Sequence, residues 1–97
     1  MSKKLSKHDY EVLNVIMNSK EPISSRNVGL RFGHSDNRKE RKAIENLRKA
    51  GYPICIGTNG GYIFSDKNED LRRTICDLES RIYEMQTVCD GLQECLV

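Results

Sequence analysis

The chain has 97 residues, 37% of them apolar and 31% charged, with a net charge of +2, which describes one globular domain with room for an appended helix and excludes a disordered polyelectrolyte. No apolar run approaches the roughly 20 residues of a membrane span. The opening MSKKLSKHDY is basic but lacks an apolar signal core, so a cytoplasmic protein with no membrane partner is expected.

Residues 6–18 read as a first helix. Ser6 is a candidate N-cap with Asp9 three residues on, a weak capping box, and Leu5 and Tyr10 stand where a hydrophobic staple would form. Val12, Leu13, Ile16 and Met17 give one apolar face, and Pro22 closes the segment. Residues 24–32 read as a short second helix, capped by Ser24 and stopped at Gly33 in a left-handed conformation. Val28 and Phe32 form its inner face, and Gly29 permits close approach by the next helix. Residues 36–50 read as a third helix, capped by Ser35 or Asp36 and ended by Gly51. Ala43, Ile44, Leu47 and Ala50 lie on one side; Arg38, Lys42, Glu45 and Lys49 lie on the other, with Arg41 on the flank.

Two short strands follow, Ile54–Gly57 and Tyr62–Phe64. The turn between them contains Asn59-Gly60, a favoured two-residue hairpin turn because both positions tolerate positive φ. From Asp66 the pattern changes. Leu71, Ile75, Leu78, Ile82, Met85, Cys89, Leu92 and Leu96 are spaced 4, 3, 4, 3, 4, 3, 4, a heptad seam with Ile at a and Leu or Met at d, which favours a parallel two-stranded coiled coil. Asp90-Gly91 reads as a helix-ending signal. The expected division is therefore 1–65 for the globular part and 66–97 for a dimerisation helix.

Charge divides along the same line. Residues 1–49 hold 12 Lys and Arg against 6 Asp and Glu, whereas residues 50–97 hold 4 against 8. A basic first half calls for an anionic partner and an acidic second half for a different task. The four cysteines, Cys55, Cys76, Cys89 and Cys95, form no C-x-x-C pair, and no His pair has zinc-finger spacing. They read as reduced thiols on semi-buried faces, the alternative being a disulfide between two copies of the last helix. His8 and His34 read as exposed loop or cap residues. No metal site or cofactor is expected.

Three helices followed by a small hairpin is the layout of a winged helix-turn-helix, mainly α with a small β part. The stretches PISSRNVGLRFG (22–33), IENLRKAGYPI (44–54) and GGYIF (60–64) resemble the winged-helix domains of biotin repressors and of sugar- and WYL-type bacterial regulators, over about residues 6–65. The resemblance makes these the scaffold helix, the end of the recognition helix and the returning wing strand. Glu40 departs from it, standing where that family places an apolar residue.

In that frame Arg38, Arg41 and Lys42 face the major groove, arginine being suited to guanine O6 and N7 and lysine to phosphate. Asn37 pairs with adenine or phosphate. Ser24 and Ser25 offer backbone N–H groups to a phosphate, with Arg26 beside them. Thr58 and Asn59 at the wing tip reach backbone oxygens. The expected function is a dimeric double-stranded DNA-binding protein, a small transcriptional regulator of bacterial or phage type. The alternative is a winged helix that holds a protein partner and modulates host or phage machinery. An enzyme is not expected: no paired carboxylates, no Gly-rich phosphate loop and no Cys–His pair with an orienting third group can be placed.

Overall fold

A computed structural model describes residues 4–57 and 59–96. Its elements run α1 (Lys7–Met17), α2 (Ser25–Arg31), α3 (Arg38–Lys49), β1 (Ile54–Ile56), β2 (Tyr62–Phe64) and α4 (Asn68–Glu94). The fold is mainly α with one small antiparallel hairpin and a long C-terminal helix, an arrangement compatible with a winged helix.

The first helix starts as its sequence dictates. The Asp9 N–H donates to Ser6 Oγ at 3.1 Å and the Ser6 N–H donates to Asp9 Oδ2 at 2.9 Å, so two otherwise unpaired donors are satisfied reciprocally. Of the staple pair only Leu5 reaches the core; Tyr10 is exposed. Val12, Leu13 and Ile16 are buried, but Met17 is exposed, since it stands roughly 90° round the helix from the stripe formed by the other three.

Both following helices end in the same six-residue turn. At α2, Gly33 N–H donates to Leu30 O and His34 N–H to Gly29 O, with Gly33 at φ +75°. At α3, Gly51 N–H donates to Arg48 O and Tyr52 N–H to Leu47 O, with Gly51 at φ +96°. These are Schellman ends, which satisfy the last carbonyls and turn the next side chain back toward the helix. They bring Tyr52 against the core and place His34 beside the start of α3.

The start of α3 differs from expectation. The cap position is Asn37, whose side chain makes no cap bond; Asp36 Oδ1 instead accepts the Arg38 N–H at 3.2 Å. Ala43, Ile44 and Leu47 of α3 join Val12, Leu13, Ile16, Ile23, Val28 and Ile54 in one buried cluster.

The hairpin pairs Ile54 with Phe64, Cys55 with Ile63 and Ile56 with Tyr62. Its turn is not the expected two-residue mirror turn. The Gly60 N–H donates to Gly57 O and the Gly57 N–H to Gly61 O. Positive φ falls on Gly60 (+83°) and on no non-glycine among the described residues, so Asn59 is spared it. Gly61 has a separate task. A Cβ there would lie 2.9 Å from the Ile23 nitrogen, because Ile23 forms a one-residue antiparallel bridge to Tyr62, with N–H···O bonds of 3.0 and 2.8 Å. The glycines at the tip thus let the hairpin seat on the Pro22–Ile23 segment.

The free edge of β1 is covered by α4. The Ile56 N–H donates to Thr74 Oγ1 at 3.0 Å, and an Arg73 Nη donates to Ile56 O at 3.0 Å. Ile56 on one outer edge and Tyr62 on the other are therefore paired, which reduces the usual hazard of an open strand. Beyond Arg81 the helix leaves the body. A chain of this size has a radius of gyration of about 13 Å when compact; here it is 15.6 Å, with a long axis of 51 Å. The helix also runs through Asp90-Gly91 to Glu94, so the expected stop there is not used.

Candidate nucleic-acid interface

The outward face of α3 follows from its period. Glu40, Ala43, Ile44 and Leu47 point inward and are buried; Arg38, Lys42, Glu45 and Lys49 lie on the opposite side, all exposed. Glu45 tempers this face. Its carboxylate pairs with Lys42 at 3.1 Å and Lys49 at 3.3 Å. The Lys42 hydrogen bond, followed by that of Lys49, holds its pKa below the ordinary carboxylate value. Among the described residues Arg38, Lys39 and Arg41 make no ion pair, so their charge is available to an anion.

Arg41 lies on the flank that faces α4. Together with Glu45, Arg48, Tyr62, Leu78 and Arg81 it borders a recess between the two helices and the hairpin. No local pattern signals this proximity, which joins residues far apart along the chain. Its neighbour Arg48 is structural: Nε donates to Ile54 O at 2.8 Å and the guanidinium lies 5.4 Å from the Tyr62 ring centroid. Burial lowers its pKa, and the Tyr62 and Cys55 groups oppose that shift. Tyr62 and Tyr52 are partly buried and pack against the core.

Among the other candidates, Ser25 and Asn37 are brought together: the Asn37 amide donates to Ser25 Oγ at 2.7 Å. This bond ties the start of α2 to the start of α3 and engages both side chains. Ser24 Oγ accepts the Asn27 N–H at 3.1 Å as a helix cap, and Arg26 is exposed. Asn59 Oδ1 accepts the Gly61 N–H at 3.1 Å, so Asn59 serves its own turn. Thr58 lies outside the described residues.

On α4, Leu71 and Leu78 are half-buried against the body. Ile75, between them, is exposed, as are Ile82, Met85 and Leu92 farther along, the last three by 61–65%, and Cys89 is exposed too. Of the thiols only Cys55 is buried; Cys76, Cys89 and Cys95 are exposed, not semi-buried as the pattern implied: Cys89 lies on a seam with nothing packed on it in a single chain, and Cys76 and Cys95 lie off that seam on the solvent side of α4.

The polar cluster that sequence reasoning missed centres on Glu40. His8 and His34 are neither loop nor cap spectators: His8 Nε2 lies 2.9 Å and His34 Nδ1 2.8 Å from the same Glu40 Oε2. Glu40 is 0% exposed. The signal was present, since Glu40 sits on the i, i+3, i+4, i+7 stripe of Ala43, Ile44 and Leu47.

No family model, curated protein or solved structure matches the chain. No described helix is long and apolar enough to cross a membrane. The class defined by fold and site is thus a small, mainly α protein with a hairpin behind a basic helix.

Proposed function

We propose that this chain is a dimeric double-stranded DNA-binding protein, a small transcriptional regulator of bacterial or phage type. In this reading the domain is a winged helix-turn-helix, α3 enters the major groove and the hairpin rests on the backbone or minor groove. The observation that carries the reading is the basic front of α3. Arg38 and Lys42 project outward, with Arg41 on the flank toward α4, from a helix whose other face is anchored in the core by Ala43, Ile44 and Leu47. A helix held this way presents its side chains in a fixed register, which base readout requires.

The exposed seam of α4 supports a homodimer, whose two modules engage two half-sites and gain affinity from linkage. The second reading is a protein-binding winged helix. It is favoured by the Glu45 carboxylate, which neutralises much of Lys42 and Lys49 on the same face.

Fluorescence anisotropy on a mixed-sequence duplex across a salt series separates the two. A DNA binder loses affinity at roughly 0.9 log units per phosphate contact for each log unit of salt, and R38E/K42E abolishes binding. If neither protein binds at low salt, the DNA reading fails and the protein-partner reading stands.

A further inference from the structure

We propose that His8, His34 and Glu40 form a binding site for a borderline divalent transition-metal ion, best matched by zinc. The proposal does not rest on the DNA-binding reading. The three residues come from three places: the first turn of α1, the Schellman end of α2 and the first turn of α3. Each offers one donor atom, and the three donors lie within 4.8 Å of one another. Zinc bonds of about 2.0–2.2 Å in tetrahedral geometry place donors roughly 3.4 Å apart. Reaching that geometry asks for adjustments of under about 1 Å each from the two imidazoles.

The carboxylate is preset. It is wholly buried, both imidazoles converge on Oε2, and Oε1 has no hydrogen-bond partner among the described residues. A buried carboxylate with one bare oxygen is costly unless positive charge compensates it, and a divalent ion does so directly. The histidine side chains are 28% and 32% exposed, so solvent reaches the site and fills a fourth position. Two nitrogens and one oxygen suit zinc, cobalt or nickel rather than magnesium or calcium, which take oxygen shells.

Binding exchanges the two contacts to Oε2 for three metal–ligand bonds. Each imidazole releases to solvent the proton that its ligating nitrogen directs at Oε2, so that this nitrogen's lone pair meets the ion and the other ring nitrogen carries the ring's one remaining proton. Phe32 packs edge-on against His8 at 5.1 Å between centroids, which orients that ring. The ion fixes the start of α3 against α1 and the α2 end, the junction next to Arg38.

The exposed thiols Cys76, Cys89 and Cys95 also attract such ions, so the test uses the full chain carrying C76S/C89S/C95S. Cobalt(II) is titrated and followed by its visible d–d absorption, then displaced with zinc. One equivalent is expected to bind, with affinity at least about tenfold weaker in H8A and in H34A. Zinc is expected to raise the thermal midpoint of the parent but of neither variant. If H34A loses its helical circular dichroism, H34N takes its place, with the same loss of binding expected. No cobalt binding by the parent at millimolar ion, or equal binding by parent and both histidine variants, overturns the proposal.

Discussion

The Ile56 N–H and the Thr74 hydroxyl are hydrogen-bonded at 3.0 Å, and the same hydroxyl donates to Asp70 O at 2.8 Å. One buried threonine thereby closes the outer edge of β1 and fixes the angle at which α4 leaves the body. T74V keeps the shape and removes the partner of a strand N–H. The expected cost is about 1–3 kcal/mol, read as a lower urea midpoint, with T74S retaining most of the stability.

The approach of α3 to α2 depends on the missing side chain of Gly29. A Cβ there would stand 2.9 Å from Glu40 Oε1. The end of a glutamate ordinarily yields to such a contact, but here Oε2 is held by two histidines and the residue is fully enclosed. G29A is therefore expected to destabilise by about 1–3 kcal/mol, as overpacking does. In E40A the carboxylate that meets the new methyl is gone, so the further cost of G29A falls toward zero in a double-mutant cycle read by chemical denaturation.

These two contacts mark how far the sequence could be read. Capping residues, apolar stripes and terminal glycines act within a few positions of themselves. Ser6–Asp9, Gly33 and Gly51 were accordingly legible, as were the helices and strands they bound. Where two local rules compete, the sequence was less decisive. Asp90-Gly91 has the chemistry of a helix end, yet α4 passes through it, because the penalty for glycine in a helix is only about 1 kcal/mol. Contacts between distant segments were not legible. The Ile23–Tyr62 bridge joins positions 39 apart, and the His8–Glu40 pair joins positions 32 apart. Within the candidate interface, the outward side of α3 followed from its period. The pairing of Ser25 with Asn37 and the closeness of Arg41 to α4 depend on tertiary packing.

Acid sensitivity is expected where α4 begins. Ser65 Oγ donates to Asp70 Oδ2 at 2.6 Å, and Arg73 lies 2.9 Å from Oδ1. The Ser65 bond, with Arg73 and Lys67 adding to it against desolvation, lowers the Asp70 pKa below its ordinary 3.8. A depressed carboxylate contributes stability that is present above the unfolded-state pKa and is lost as pH falls through the folded one. S65A removes the largest cause, so Asp70 protonates at a higher pH. The acid limb of a stability–pH profile is expected to move upward in S65A, while the profile above pH 6 keeps its shape. An unchanged acid limb would show that this bond does not govern the titration.

The exposed row on α4 gives the last prediction. Ile82, Met85 and Leu92 are each more than 60% exposed in one chain, and they fall on the a and d positions of the heptad. Tyr83 is 74% exposed but lies off that seam, so the two sets separate pairing through the seam from general surface hydrophobicity. If α4 pairs with its twin, I82D/M85D places charge in a desolvated interface and halves the mass measured by sedimentation equilibrium at micromolar concentration, whereas Y83A leaves it unchanged. Because α4 is docked on β1 through Thr74, well before these positions, the body of the I82D/M85D variant stays folded and retains the circular dichroism of α1 to α3. The same variant is expected to bind a duplex with roughly a hundredfold lower affinity, the scale on which linkage of two modules acts, while one module still shows a shallower salt dependence. A monomeric wild type in sedimentation would remove the dimer from the proposed function and leave the basic face of α3 to act singly.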